Sequence, residues 1–136
     1  MNLVKSRIYL EKYLSRISNV KHRQAVTRFR TSAHKYPVES GRYLNIAHDS
    51  RVCTICNLNE IGDELHYFSK CNNRKLISLR NDYLNKLIEI NSLFSCFKHE
   101  DLFIYCISMN DDSILNLTAK YLYDINVIFN DCICNN

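Results

Sequence analysis

The sequence predicts a mostly α-helical fold in the form of a small helical domain, and three observations support this prediction. The 136 residues include only two Gly and one Pro, whereas an all-β chain needs a turn every ten or so residues. Apolar side chains recur at spacings of three and four, which is the period of a helix buried on one face. Hydrophobic residues make up 46% and charged residues 24% of the chain, the balance of an ordinary globular domain.

Two helices are predicted in the N-terminal part of the chain. The stripe of the first, over about the first eighteen residues, consists of Leu3, Leu10, Tyr13, Leu14 and Ile17. The second is predicted from Lys21 to Tyr36 and should end before Pro37, because proline disfavours helical geometry in the preceding residue. Its stripe consists of Ala25, Val26, Phe29 and Ala33.

The rest of the chain predicts a turn and three further elements. Ser40-Gly41-Arg42 predicts a turn in the aperiodic stretch 37–51. The stripe of a third helix consists of Leu76, Leu79, Tyr83, Leu87, Ile90 and Phe94. The segment from Leu102 to Met109 fits a buried helix or a strand, and helix is favoured because no alternating partner strand is present. A last helix is capped by Asp111, Asp112 or Ser113 and has the stripe Ile114, Leu117, Tyr121, Ile125 and Ile128. The end of the chain, from Cys132, is expected to fray.

Four residues between positions 53 and 71 have the spacing of a metal site. Two residues separate Cys53 from Cys56, nine more precede His66, and four more precede Cys71. Zinc prefers four tetrahedral ligands drawn from thiolate and imidazole groups, and seven Cys without a secretory signal favour metal binding over disulfides. The sequence therefore predicts one structural Zn²⁺ in a closed Cys3His site, on a loop between helices, with His66 in a helical turn starting near Asp63-Glu64. The alternative is that these residues are small core cysteines and a hydrogen-bonded core histidine.

The other Cys and His residues are weaker candidates. Cys132 and Cys134 could hold a second soft metal, but no His lies near them in the sequence. Cys96 and Cys106 lie in apolar segments and are expected in the core. His48 could replace one of the four ligands, although the adjacent Asp49 suggests a surface position.

Positive charge is concentrated in the N-terminal part. Residues 1–52 hold 11 Lys and Arg against 3 Asp and Glu, and residues 53–136 hold 7 against 11. The first part therefore carries +8 and the second −4, which suggests that the first part meets an anionic partner. The alternative is an ordinary solvated surface of mixed charge.

Signatures of enzymes and membrane proteins are not found in the sequence. Two glycines, Gly41 and Gly62, cannot form a phosphate-binding loop, and neither a nucleophile elbow nor an HExxH motif occurs, so no enzymatic activity is expected. The longest apolar run, from Leu102 to Ile107, has six residues, far fewer than the ~20 of a membrane helix. With no segment like a signal peptide, we expect an intracellular protein of the nucleus or cytoplasm that does not contact membranes.

Several residues between positions 21 and 80 form a further pattern. They are Arg28-Phe29-Arg30 followed by Ser32 and His34, Gly41-Arg42, Arg51 before Cys53 and Cys56, and Asp63-Glu64 before His66-Tyr67-Phe68 and Cys71, with Arg74 and Arg80 beyond. This pattern resembles the cysteine-rich segment at the C-terminal end of reverse transcriptases from LINE-type (non-LTR, jockey-like) retrotransposons. The resemblance implies that the Cys and His residues bind zinc and that the segment helps to hold element RNA or target DNA. Because polymerase and nuclease motifs are missing, it implies a fragment or derivative of such a protein.

Together these observations predict a zinc-stabilised nucleic-acid-binding accessory module. Its regions are a basic helical region (1–52), the zinc-binding segment (53–71) and acidic C-terminal helices (72–136), packed in one compact domain. The residues expected to contact the phosphates of RNA or DNA are Arg23, Arg28, Arg30, Lys35 and Arg42. Tyr36 or Tyr43 is expected to stack on an unpaired base. The alternatives are a zinc-stabilised helical module that binds a protein partner or itself, and a retroelement relic without function.

Overall fold

A computed structural model describes residues 15–98, 101–102, 106 and 111–135. Four α-helices are defined within this part of the chain: α1 (Val20–Arg30), α2 (Pro37–Tyr43), α3 (Arg74–Ile90) and α4 (Asp112–Cys134). Between them lie two short 3₁₀ turns (His48–Ser50 and Ser92–Cys96) and one π-helical turn (His66–Lys70). The described residues contain no strand, only an isolated antiparallel bridge between Val52 and Ile61. The predicted mostly helical fold is confirmed.

Helix α4 lies at the centre of the described fold and packs against both α1 and α3. It buries eight residues: Ile114, Leu115, Thr118, Ala119, Tyr121, Leu122, Ile125 and Phe129. Helix α1 contributes Ala25, Val26 and Phe29, and α3 contributes Leu76, Tyr83 and Leu87. All of these side chains except the polar Thr118 belong to one buried hydrophobic cluster, so the helices share a single core.

Helix α1 is shorter than predicted. Asn19 caps its start, because its side-chain oxygen accepts hydrogen bonds from the backbone N–H groups of Lys21 and His22. The helix ends at Arg30 and not at Tyr36, since Ser32 has the left-handed φ of 56°. The side chains of Ser32 and His34 bind Glu64 of the cysteine-containing segment. The prediction of a helix up to Pro37 was therefore wrong because these tertiary hydrogen bonds redirect the chain.

Helix α2 replaces the predicted turn at Ser40-Gly41-Arg42, so that prediction was wrong. Pro37 occupies the first turn of α2, where its fixed φ favours the helix and its missing N–H costs nothing. Gly41 is buried inside this helix. A Cβ at Gly41 would come within 2.6 Å of Cγ of Arg51, so the glycine allows the chain leading to Cys53 to pass close to α2.

The C-terminal elements differ from the prediction at their ends. Helix α3 ends at Ile90 because Asn91 is extended, and Phe94 lies in the following 3₁₀ turn. Cys96 is exposed, contrary to the prediction of a core position, whereas Cys106 is buried as predicted. Helix α4 continues through Cys134, so the predicted fraying from Cys132 was wrong.

Two predictions fall mainly outside the described residues. Of the predicted first helix, only residues 15–18 are described, and Ile17 is buried. Of the segment 102–109, only Leu102 and Cys106 are described, and both are helical and buried. No helix in the described part of the chain is both long and apolar enough to cross a membrane.

Candidate metal centre

Two backbone pairings fold the segment that carries Cys53 and Cys56. The N–H of Cys53 donates to the carbonyl of Glu60 at 2.8 Å, and the N–H of Gly62 donates to the carbonyl of Arg51 at 3.0 Å. Asn59 adopts a φ of 56° within the loop that they close, a conformation that Asn tolerates better than most residues. The pairings hold both cysteines on one narrow loop.

A short helical turn presents His66. Asp63 accepts a hydrogen bond from the backbone N–H of His66 at 2.8 Å, as the cap of a helix start does. The turn then widens to π geometry over His66–Lys70 and ends where the N–H of Cys71 donates to the carbonyl of His66 at 2.7 Å. The predicted helical turn near Asp63-Glu64 is present, and it brings His66 and Cys71 into the same cluster.

The structure brings Cys53, Cys56, His66 and Cys71 together. Their four potential ligand atoms all lie within 4.8 Å of one another. The sulfurs of Cys53 and Cys71 are 3.9 Å apart, and the sulfur of Cys56 is 3.4 Å from Nε2 of His66. A disulfide needs a sulfur separation of about 2.05 Å, so these cysteines are free thiols.

The distances fit a tetrahedral metal ion. With metal–sulfur bonds of about 2.3 Å and a metal–nitrogen bond of about 2.05 Å, tetrahedral geometry requires a sulfur–sulfur separation near 3.8 Å and a sulfur–nitrogen separation near 3.6 Å. The separations of 3.9 Å and 3.4 Å agree with both values. The cluster can therefore hold one metal ion with all four positions filled by the protein.

The three thiols differ in pKa. The hydrogen bond from Cys71 lowers the pKa of Cys53, with further help from His66 and Tyr67. The same bond raises the pKa of Cys71, and burial raises the pKa of Cys56. A bound metal cation would counteract the raised pKa of Cys71 and Cys56, because it replaces the thiol protons and binds the thiolates directly.

Two outer contacts orient the potential ligands. Nδ1 of the buried His66 lies 3.4 Å from Oε2 of Glu60, which directs Nε2 towards the sulfurs. The hydroxyl of Tyr67 donates to the sulfur of Cys53 at 3.2 Å. Such partners fix the orientation of metal-binding imidazole and thiolate groups and support the affinity for the ion.

Arg80 of α3 clamps the turn that carries two of the potential ligands. Only 8% of Arg80 is exposed, and its guanidinium donates to the carbonyls of Phe68, Cys71 and Tyr67 at 3.1, 3.1 and 3.4 Å. The hydroxyl of Tyr121 also donates to the carbonyl of Phe68. These donors satisfy carbonyls at the end of the turn and fasten it to α3 and α4.

Aromatic packing connects the cysteine cluster to the rest of the core. The ring of Tyr67 lies 4.4 Å from that of Tyr36 and 5.2 Å from that of Phe129, between ring centroids. The ring of His34 lies 4.3 Å from that of Tyr36 in a tilted arrangement, and its Nε2 lies 2.7 Å from Oε1 of Glu64. The position of the cluster therefore depends on the linker between α1 and α2 and on α4.

The predicted phosphate-binding residues do not form one uniform face. Arg28 and Lys35 are exposed and line the same cavity. Arg42 is exposed but pairs with Glu39 at 2.9 Å. Arg23 is half-buried and donates a hydrogen bond to the carbonyl of Ile17. Arg30 is also half-buried and also interacts with another residue of the protein. The structure thus brings two of the five cations together.

The two predicted stacking residues differ. Tyr36 is 1% exposed and its hydroxyl donates to Asn126, whereas Tyr43 is 78% exposed. The prediction that Tyr36 stacks on a base was therefore wrong, because core packing covers its ring. Among the described residues, neither His48 nor the pair Cys132 and Cys134 belongs to a group that could hold a metal.

Sequence reasoning missed the structural roles of Arg80, Glu60 and Tyr67. Arg80 had a readable signal, because it occupies the apolar stripe of α3 four residues after Leu76 and three before Tyr83. A charged residue in such a stripe is buried only when it has partners. Glu60 and Tyr67 have no comparable periodic signal.

Comparison with protein-family models, with curated proteins and with solved structures gives no match to this chain.

Proposed function

We propose that the protein is a zinc-stabilised nucleic-acid-binding accessory module in which Zn²⁺ is structural and the basic N-terminal part contacts phosphates. The observation that carries the proposal is the convergence of Cys53, Cys56, His66 and Cys71, whose potential ligand atoms all lie within 4.8 Å of one another. Three thiolates and one imidazole are the donors that zinc favours in structural sites. Because the protein supplies all four ligands in this proposal, the ion has no open position for a substrate. We therefore assign the ion a structural role and the protein a role in binding and not in catalysis.

Zinc fastens a segment that holds little apolar side-chain area of its own. Within residues 51–66, Cys53 is the hydrophobic residue that is buried. Most other side chains of this stretch are exposed or half-buried. Small structural zinc sites supply apparent binding free energies of about 10–16 kcal/mol, which become folding free energy. The ion replaces the hydrophobic core that this segment lacks.

Nucleic-acid binding is supported by charge and by exposure. Residues 1–52 carry a net charge of +8, and Arg28 and Lys35 are exposed on one cavity without a carboxylate among the residues that line it. Phosphate contacts of this kind give affinity without sequence specificity. The resemblance to the C-terminal segment of LINE-type reverse transcriptases supports the same function and suggests that the chain derives from such a protein.

The metal is tested directly by elemental analysis of the purified protein. We expect one zinc per chain, retained through gel filtration and removed by a strong chelator with loss of helical signal. A different metal at full occupancy would contradict the assignment of zinc, and an unchanged fold after complete metal removal would contradict its structural role.

Binding is tested by fluorescence anisotropy with labelled single-stranded RNA and duplex DNA at two salt concentrations. We expect log K to fall by about 0.7–0.9 per neutralised phosphate for each tenfold rise in salt. The double variant Arg28→Glu and Lys35→Glu should abolish binding. The matched control, Arg74→Glu and Lys86→Glu on α3, changes net charge equally and should retain most of the affinity.

The outcomes separate the alternatives. Absence of binding to both nucleic acids at low salt would refute the nucleic-acid role and leave a zinc-stabilised protein-interaction module. Equal losses in the two double variants would show that only net charge matters, which contradicts a binding surface in the N-terminal part.

A further inference from the structure

A cleft separates the end of α1 from α4, and none of the four potential metal ligands lines it. Its volume is about 340 Å³, which lies within the range of small-ligand pockets. This α1/α4 cleft is lined by Arg28 of α1, by residues 33–36 of the linker, which include Lys35, and by Asn126, Phe129 and Asn130 of α4.

Arg28 and Lys35 are the cations of the α1/α4 cleft, and the carboxylate of Glu64 binds the neighbouring His34 at 2.7 Å. Neither Arg28 nor Lys35 makes a side-chain hydrogen bond or ion pair with the residues that the structure describes, and no carboxylate lines the cleft. The larger cavity beside Cys56 is different, because Lys75 there pairs with Asp131 at 2.9 Å. Of these two cavities in the described part of the chain, the α1/α4 cleft is the one whose chemistry favours an anionic group.

Two carboxamides face the same cleft from α4. Asn126 and Asn130 are four residues apart and so lie on one face of the helix. The hydroxyl of Tyr36 donates to Oδ1 of Asn126, and burial keeps that phenol protonated because it raises its pKa far above the usual range. Asn126 is therefore fixed with its NH₂ group as the free donor. Asn130 is exposed and keeps both a donor and an acceptor.

We propose that the α1/α4 cleft binds one unpaired nucleotide of a single strand, with Arg28 and Lys35 on its phosphate and Asn126 and Asn130 on the edge of its base. This inference rests on the proposed nucleic-acid function and adds the place and form of recognition. Carboxamides pair their donors and acceptors with base edges, as Asn does with adenine. A concave cleft suits a splayed base, whereas the base edges of a duplex lie in grooves that only a protruding element reaches.

The experiment uses the full-length, zinc-loaded, ¹⁵N-labelled protein and a short single-stranded RNA. We expect the side-chain amide signals of Asn126 and Asn130 to shift on titration, while the signal of Asn81, exposed on α3, stays in place. In anisotropy, Asn130→Ala should weaken strand binding by about tenfold. The same change at Asn81 should leave affinity unchanged. Both replacements are at exposed helical positions, where Ala supports folding.

Charge variants test the phosphate contact in the same assay. Arg28→Gln should reduce the slope of log K against log salt by nearly one, whereas the control Arg74→Gln should not. Two outcomes would overturn the cleft assignment while leaving the nucleic-acid function standing. In the first, the strand binds but the amide signals of Asn126 and Asn130 do not shift. In the second, Asn130→Ala and Asn81→Ala bind the strand with the same affinity. Duplex DNA bound as tightly as the strand and insensitive to Asn130→Ala would overturn it as well. If the wild type binds no nucleic acid, the proposed function fails first.

Discussion

Replacing Arg80 with methionine should destabilise the protein and weaken zinc binding together. The guanidinium donates three hydrogen bonds to backbone carbonyls at the end of the turn that carries His66 and Cys71. Hydrogen bonds from charged groups contribute about 1.5–3 kcal/mol each. Methionine keeps the unbranched stem in the core but provides no donor.

The expected loss is smaller than the sum of three such bonds. The carbonyl of Phe68 keeps the hydroxyl of Tyr121 as a donor, so its loss is partly compensated. The carbonyls of Tyr67 and Cys71 each lose the donor that Arg80 provides, and leaving a buried carbonyl unsatisfied costs about 1–3 kcal/mol. We therefore expect Arg80→Met to lower the free energy of unfolding by ~3–5 kcal/mol. Because the turn then loosens, zinc affinity should fall by about 10- to 100-fold, as for other outer partners of metal ligands.

Urea unfolding of the zinc-loaded protein measures the first effect, and competition with a chromophoric chelator measures the second. Arg80→Lys restores the charge with a single point donor and should recover part of both losses. Arg74→Met, at the exposed start of the same helix, serves as the control and should stay within about 0.5 kcal/mol of the wild type. A stability loss below about 1 kcal/mol for Arg80→Met, or an unchanged zinc affinity, would refute the clamp.

Three further predictions follow from the cysteine cluster and its surroundings. Cys53→Ser should abolish stoichiometric zinc binding and loosen residues 50–75, measured by metal content and amide hydrogen exchange, whereas the exposed Cys96→Ser should do neither. Gly62→Ala should cost about 1–3 kcal/mol in urea unfolding, because a Cβ there would lie 2.8 Å from the ring of Pro37 and 2.9 Å from the hydroxyl of Tyr67. Glu64→Gln should be destabilising near neutral pH but not in acid, measured by urea unfolding from about pH 7 to about pH 3.

The sign of the Glu64 effect follows from its surroundings. Burial raises the pKa of this carboxyl, but the hydrogen bonds from His34 and Ser32 outweigh it, so the pKa in the folded protein is lowered. A carboxylate with a lowered pKa stabilises the fold above its ordinary pKa, and this contribution is lost as pH falls through the folded value. Metal content is measured in both proteins at each pH, and the difference is read where both retain the metal, because its release would loosen the turn that carries Glu64. A difference between Glu64→Gln and the wild type that grows towards acid pH would contradict this reasoning.

The other two predictions have equally clear contrary outcomes. Full zinc occupancy and an unchanged exchange pattern in Cys53→Ser would show that the four-residue site is wrong. A Gly62→Ala protein as stable as the wild type would show that Pro37 and Tyr67 move away from the new Cβ without a loss in the free energy of unfolding.

The sequence predicted the helical class and the convergence of the cysteine cluster because both depend on local spacing. Period-three and period-four stripes predicted α3 and α4, and Cys53 and Cys56 needed only a turn between them. The limits of the helices were less predictable, because tertiary contacts determine them. The same holds for Arg80, whose three partners lie 9 to 13 residues away in the sequence.

Lys35 lines the same cavity as Arg28 although the helix predicted to carry both residues ends before Lys35. A continuous helix from Lys21 to Tyr36 would place Arg28 and Lys35 on one flank, seven residues apart. In the structure the helix ends at Arg30, and the linker that follows leads Lys35 to the same cavity as Arg28. No periodicity encodes this path, since it depends on bonds from the linker to a residue about thirty positions away.

Glu64 therefore links the two candidate sites. Its carboxylate accepts from Ser32 and binds His34, and so holds the linker that positions Lys35. Two residues later on the same turn, His66 joins the cysteine cluster. Because one short turn carries both interactions, an ion bound by His66 would also fix the anchor of the linker. A metal bound by the cysteine cluster would in this way help to position Lys35, although neither Arg28 nor Lys35 is among its potential ligands.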